Sequence, residues 1–272
     1  MQARVVTSIV GIPVVISAVW VGLPWLTILV AIASLVALYE FYRLAPNSLN
    51  VISRTVGIFG VLGLVISVHF TIPGNLYLLT YVVLAILIIT SMPLLAKFQS
   101  ATKLAKPGLH VIVVFGPILV TFLLTHSLIL RGSGVGEIES RNWLLYALFV
   151  TFAIDTGAFI SGRIFGKHKL VPSISPNKTL EGAFGGLLSA LLMSVALAYL
   201  LQLVISTWTA IWFGLLLGVT GQLGDLVESY MKRIFDVKDT GGILPGHGGL
   251  LDRIDSLVVT IPLVYYLVAF IV

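Results

Sequence analysis

Nine apolar stretches, each of about twenty residues and so long enough to cross a bilayer, follow one another along this chain. They lie near 5–23, 25–45, 54–71, 75–95, 109–130, 143–164, 183–205, 208–230 and 252–272. Lipid offers a backbone no water, so a spanning segment must close its own hydrogen bonds as a helix or within a closed barrel. Barrel strands alternate polar and apolar residues over ~10 positions, and these runs do not alternate. The expected fold class is therefore all-α: a polytopic integral membrane protein with about nine transmembrane helices. Only Leu23-Pro24 parts the first two runs, which predicts a tight turn or re-entrant hairpin there. Composition excludes the other classes. Charged residues make up 10% of the chain, against ~25% in soluble domains, too few to cover a soluble surface. Hydrophobic residues reach 58%, which excludes disorder, and the absence of cysteine excludes disulfide or thiolate chemistry.

Orientation follows from lysine and arginine. Placed on alternate sides of nine spans, 14 basic residues fall on one side and only Arg131 and Arg141 on the other. Cytoplasmic loops carry the excess, so the N-terminus is expected in the cytoplasm and the C-terminus outside. The first run reads as a retained helix, because one basic residue precedes it and no small-x-small site closes it. The net charge of +5 is then a topology signal. No basic stripe interleaved with aromatics points to nucleic acid.

The two halves of the chain differ. Residues 1–130 read as a transmembrane scaffold with short loops. Residues 131–272 read as a catalytic region with two long basic loops, 163–182 and 231–251, on the cytoplasmic side. The spacings Gly162/Gly166, Gly182/Gly186 and Gly214/Gly218 predict close helix packing.

Acids inside a bilayer are costly and mark function by default. Glu40 and Arg43 are three apart and are expected to form a structural pair on one helix face. Asp155 has no basic residue within a turn and reads as lining a site. Asp225 and Glu228 share a helix face, and Asp252 and Asp255 repeat the spacing at the head of the last run. Two such pairs on adjacent helices suit hard cations, which take carboxylate oxygens. Asp225, Glu228, Asp252 and Asp255 are therefore all candidate metal residues. Between the pairs runs Lys238-Asp239-Thr240-Gly241-Gly242-Ile243-Leu244-Pro245-Gly246-His247-Gly248-Gly249. Its glycines and the helix head behind them read as a phosphate cradle. The other loop brings Lys167, Lys169, Ser173, Ser175, Asn177, Lys178 and Glu181 to the head of another helix, which Ser175 or Asn177 is expected to cap. Neither a P-loop, a G-x-G-x-x-G nor an H-E-x-x-H motif occurs.

The stretch from Ser229 through Lys232-Arg233, Lys238-Asp239 and Leu244-Pro245-Gly246-His247-Gly248-Gly249-Leu250-Leu251-Asp252-Arg253-Ile254-Asp255 resembles the signature of the phosphatidate cytidylyltransferases, the CDP-diacylglycerol synthases, of bacterial type. Asp155-Thr-Gly-Ala-Phe, Gly166-Lys-His-Lys169 and Ser175-Pro-Asn-Lys178-Thr-Leu-Glu181-Gly182 are similar to the same family. The resemblance implies an enzyme of the bacterial inner membrane, active site toward the cytoplasm, that makes CDP-diacylglycerol and pyrophosphate from CTP and phosphatidic acid. It implies Mg²⁺, with a second cation left open, and a homodimer. The family's metal-binding aspartates fall on Asp225 and Asp252. Catalytic roles are expected for Asp225, Asp252, Lys178 and Asp155. Substrate contacts are expected from Lys167, Lys169, Ser173, Ser175, Asn177, Lys178, Glu181, Lys232, Arg233, Lys238, Asp239, His247, Gly248, Gly249 and Arg253. Two other classes use similar parts. A CTP-dependent lipid kinase would attack the γ-phosphorus, and a secondary transporter also places acids within broken helices.

Overall fold

The computed structural model describes residues 2–44, 51–72, 107–132, 136–243 and 248–272. Its helices are α1 (Gln2–Val21), α2 (Trp25–Leu44), α3 (Val51–Thr71), α4 (Pro107–Gly132), α5 (Glu137–Phe165), α6 (Leu180–Leu200), α7 (Thr207–Ile234) and α8 (Leu251–Ile271). Seven are long and apolar enough to cross a membrane; the apolar stretch of α1, Ile9–Val21, is shorter. The all-α polytopic expectation holds. The run near 75–95 lies outside the described residues. Phe184, Leu188 and Leu192 stand more than half exposed at four-residue spacing along α6, an apolar stripe suited to lipid rather than water.

One element departs from the helical reading. Within loop 163–182, β1 (Lys169–Val171) pairs antiparallel with β2 (Ser175–Thr179), aligning Lys169 with Thr179 and Val171 with Ser175. The turn is closed by Ile174 N–H donating to the Val171 carbonyl at 3.2 Å. Pro172 occupies the turn position whose φ its ring presets. Strands this short leave no periodic signal. The hairpin also corrects the cap of α6. Ser175 and Asn177 are strand residues, and Thr179 is the N-cap, its Oγ1 accepting from Gly182 N–H at 3.1 Å.

The chain forms two compact units, Met1–Ser133 with Asp239–Leu251, and Gly134–Lys238 with Asp252–Val272. In the first, Leu38 of α2, Val61 of α3 and Ile118 of α4 form a core onto which Leu35, Tyr42 and Phe115 pack. α1 and α2 are joined across Gly22, at φ +84°, and a cis Leu23-Pro24 bond. Arg131 of α4 donates from Nε to the Val19 carbonyl at 3.1 Å, satisfying one of the carbonyls a helix end leaves open. The expected pair between Glu40 and Arg43 is not formed. Arg43 lies over the Tyr39 ring, 5.9 Å from its centroid, while Glu40 is fully buried and accepts hydrogen bonds from Thr240, Leu250 and Leu251. Three backbone and hydroxyl donors in one pocket outcompete an arginine free to remain outside it.

In the second unit, small residues set the helix contacts. A Cβ on Gly182 would lie 2.9 Å from the Ala158 carbonyl of α5, and one on Gly214 would lie 3.0 Å from the Ala190 carbonyl of α6. The closest approach that matters for function is between α7 and α8. There a Cβ on Gly224 would stand 2.8 Å from the Asp255 carbonyl. Without a side chain at Gly224, the two backbones meet beside Asp225 and Asp255.

Candidate active site

Everything in this site belongs to the second unit. Asp225, Glu228 and Asp255 each offer a carboxylate oxygen, and these oxygens lie within 4.8 Å of one another. The helical spacing of Asp225 and Glu228 puts both on one face of α7, and the glycine contact brings Asp255 of α8 to that face. Lys178, near the end of β2, reaches Asp225 with Nζ 2.8 Å from Oδ2. Lys232, one turn beyond Glu228, sits 2.6 Å from Glu228 Oε2 and 2.8 Å from Asp252 Oδ1. Asp252 therefore joins the cluster through an ammonium group.

Hydroxyls complete the surroundings. Ser229 Oγ donates to Asp225 Oδ1 at 3.4 Å, and Ser256 Oγ donates to Asp155 Oδ1 at the same distance. The backbone N–H of Ser256 donates to Asp255 Oδ1 at 2.7 Å. Above Asp155 and Asp255 the polar chain continues into the span: Thr260 donates to the Ser256 carbonyl, and its Oγ1 lies 2.8 Å from Thr151 Oγ1 of α5. This chain ties α5 to α8 and aligns their two aspartates.

Other residues named from sequence lie elsewhere or are already engaged. Lys167, Lys169, Ser173 and Asn177 are exposed on the hairpin and its approach, and Ser175 is half-buried. Glu181 is committed to shaping that approach. It accepts from the Lys167 N–H at 3.0 Å, the His168 N–H at 3.2 Å and His168 Nδ1 at 2.7 Å. Arg233 ties the hairpin to α7, donating to the Ile174 carbonyl at 3.0 Å and the Val237 carbonyl at 3.3 Å. Lys238 and Arg253 are exposed. Asp239, Gly248 and Gly249 belong to the first unit, and His247 lies outside the described residues. Sequence reasoning missed Ser229, Ser256 and Thr260. Ser229 and Ser256 lie four residues after Asp225 and Asp252, and Thr260 four after Ser256, so helical spacing was a legible signal.

The donor set fits a hard cation. It is entirely oxygen, it is anionic, and Glu228 Oε1 is buried with no hydrogen-bond partner among the described residues. Five carboxylates on the membrane helices α5, α7 and α8, with Lys178 of β2 and Lys232 of α7 beside them, suit a membrane enzyme that handles phosphate groups. The comparison with known proteins makes this particular: the chain belongs to the cytidylyltransferase family, whose model matches residues 2–271. A phosphatidate cytidylyltransferase of Staphylococcus haemolyticus is 34% identical over 267 residues, covering 97% of this chain and 97% of that protein. Phosphatidate cytidylyltransferases of Staphylococcus aureus and Staphylococcus epidermidis are 50% identical over 125 residues, 46% of this chain and 48% of theirs.

Proposed function

We propose that this chain transfers the cytidylyl group of CTP to phosphatidic acid, giving CDP-diacylglycerol and pyrophosphate, at the cytoplasmic face of a bacterial inner membrane. The observation that carries the reading is the Asp225–Glu228–Asp255 cluster with Lys178 and Lys232 upon it, in a chain of this family. Self-association as a homodimer rests on the family resemblance alone.

The lipid phosphate needs no strong general base, since a phosphomonoester with second pKa ~6 is largely ionised at pH 7. One of its oxygens bonds to the α-phosphorus of CTP. The bond from that phosphorus to the α–β bridging oxygen breaks, and its electron pair leaves with pyrophosphate. The difficulty is bringing two polyanions together. Asp225, Glu228 and Asp255 would hold Mg²⁺, with Asp252 beside them and space for a second cation left open. Bound there, Mg²⁺ would neutralise phosphate charge and stabilise the leaving pyrophosphate. Lys178 and Lys232 now rest on carboxylates; they would turn to phosphate oxygens as charge-assisted donors when substrate arrives. Asp155, held by Ser256, orders the wall of the site. Lys167, Lys169, Lys238 and Arg253 would gather the polyanions from solution.

Purified protein given labelled CTP, phosphatidic acid and Mg²⁺ should release pyrophosphate and form a cytidine-bearing lipid. Release of CDP with a doubly phosphorylated lipid would mean a kinase. No nucleotide consumption in a folded preparation would overturn the reading.

Orientation has its own test. Ser173 is exposed in the hairpin turn, Val204 is 79% exposed between α6 and α7, and they lie at opposite ends of α6. The chain has no cysteine of its own. In intact spheroplasts an impermeant maleimide should label Val204→Cys and spare Ser173→Cys until the membrane is opened. The reverse pattern would invert the topology.

A further inference from the structure

Glu40 is a carboxylate on α2, wholly buried, that the chemistry above does not use. Its Oε1 accepts from the Leu250 N–H at 2.8 Å. Its Oε2 accepts from the Leu251 N–H at 2.9 Å and from Thr240 Oγ1 at 3.2 Å. Leu250 and Leu251 are the residues at which α8 begins. A helix head leaves N–H groups open and carries partial positive charge, so it is a natural seat for an anion. Here the anion is supplied from α2, some two hundred residues earlier in the chain. The glycines around it are shaped to the carboxylate. A Cβ on Gly241 would lie 2.7 Å from Oε1, and one on Gly249 would lie 2.8 Å from Oε2 and run into Thr240 Oγ1. Gly248, at φ +82°, turns the chain into this wrap.

We propose that Glu40 is a positioning residue for the reaction: an internal anion that folds residues 240–243 and 248–251 around itself and fixes where α8 starts. The next residue is Asp252, and Asp255 follows one turn later, so the carboxylate sets the two acids of α8 through the covalent chain. This gives the first half of the sequence a part in the chemistry. The catalytic consequence rests on the function proposed above, whereas the clamp itself does not.

Hydrogen exchange of the purified protein, without substrate or metal, reads the clamp directly. In Glu40→Gln one amide NH₂ must face a backbone N–H, so exchange at Leu250 and Leu251 should rise ~10-fold or more, as for loss of a charge-assisted hydrogen bond. Peptides of α6 should exchange as in the wild type. Gly249→Ala, which leaves Glu40 intact but crowds it, should show the same local change, and Glu40→Asp, which keeps both acceptors and the charge, should recover part of the protection. In turnover assays, the Mg²⁺ concentration for half-maximal rate should rise ~10–100-fold in Glu40→Gln and Gly249→Ala, the scale for groups that orient metal ligands. Unchanged exchange at Leu250 and Leu251 in both variants would overturn the clamp. Faster exchange with an unaltered Mg²⁺ requirement would leave Glu40 a purely structural residue and overturn the positioning role. Absence of activity in the wild type would fall on the proposed function instead, with the exchange result still deciding the clamp.

Discussion

Asp225→Asn should keep its fold and lose ~10²–10³-fold or more in kcat, the scale for removing one preorganised electrostatic group. The side chain holds three relations at once: the ion pair with Lys178, the hydrogen bond from Ser229, and its place beside Glu228 and Asp255. Asparagine preserves size and can still accept from Ser229. It removes the charge that would balance a cation and the partner that parks Lys178. Asp255→Asn should fall on the same scale. Because both act on one cluster, the double variant should lose far less than the product of the single losses. Asp252→Asn should also lose activity, since its carboxylate shares Lys232 with Glu228. Rates taken at saturating Mg²⁺ in mixed micelles decide the matter. If Asp225→Asn and Asp255→Asn each kept more than about a tenth of wild-type kcat, well above that scale, the metal assignment would be wrong.

Lys232→Met should destabilise the protein by roughly 3–5 kcal/mol, the usual result of stripping one partner from a buried ion pair. Lys232 is 13% exposed, and its partners Glu228 and Asp252 are 8% and 7% exposed. Methionine fills much of the same volume but leaves two carboxylates facing each other in a low-dielectric site. The thermal midpoint in detergent should drop, and Mg²⁺ should restore part of it by taking the place of the ammonium charge. Lys232→Met combined with Asp252→Asn removes one of the stranded charges and should recover stability without recovering activity. An unchanged midpoint in Lys232→Met would show that the triad contributes nothing to the fold.

The membrane architecture was legible because its cause is local. A run of apolar residues must become a helix in lipid whatever surrounds it, so α2 to α8 could be read off hydropathy with ends wrong by a few residues. The carboxylates of α7 were legible for the same kind of reason, since three-residue spacing on a helix fixes a shared face. The hairpin at Lys169–Thr179 was not, because strands of three and five residues have no period to detect. Lys178 was expected at a helix head; it lies near the end of a strand, and the strand is what aims it at Asp225. The fourth apolar run and His247 lie outside the described residues.

Sequence by itself determined the helical class, the clustering of acids near α7 and α8, and the need of the glycine-rich segment before α8 for an anion. The tertiary structure decided which anion. Backbone N–H groups at a helix head accept any negative oxygen that can reach them, and spacing along the chain does not say which will. A substrate phosphate was the expected occupant of those donors. Folding delivers Glu40 instead, because packing in the first unit brings α2 against Thr240, Leu250 and Leu251 and a buried carboxylate must find donors there. In the same way, i, i+3 spacing paired Glu40 with Arg43 on paper, but burial separated them: the arginine stayed over the Tyr39 ring and the carboxylate went inward.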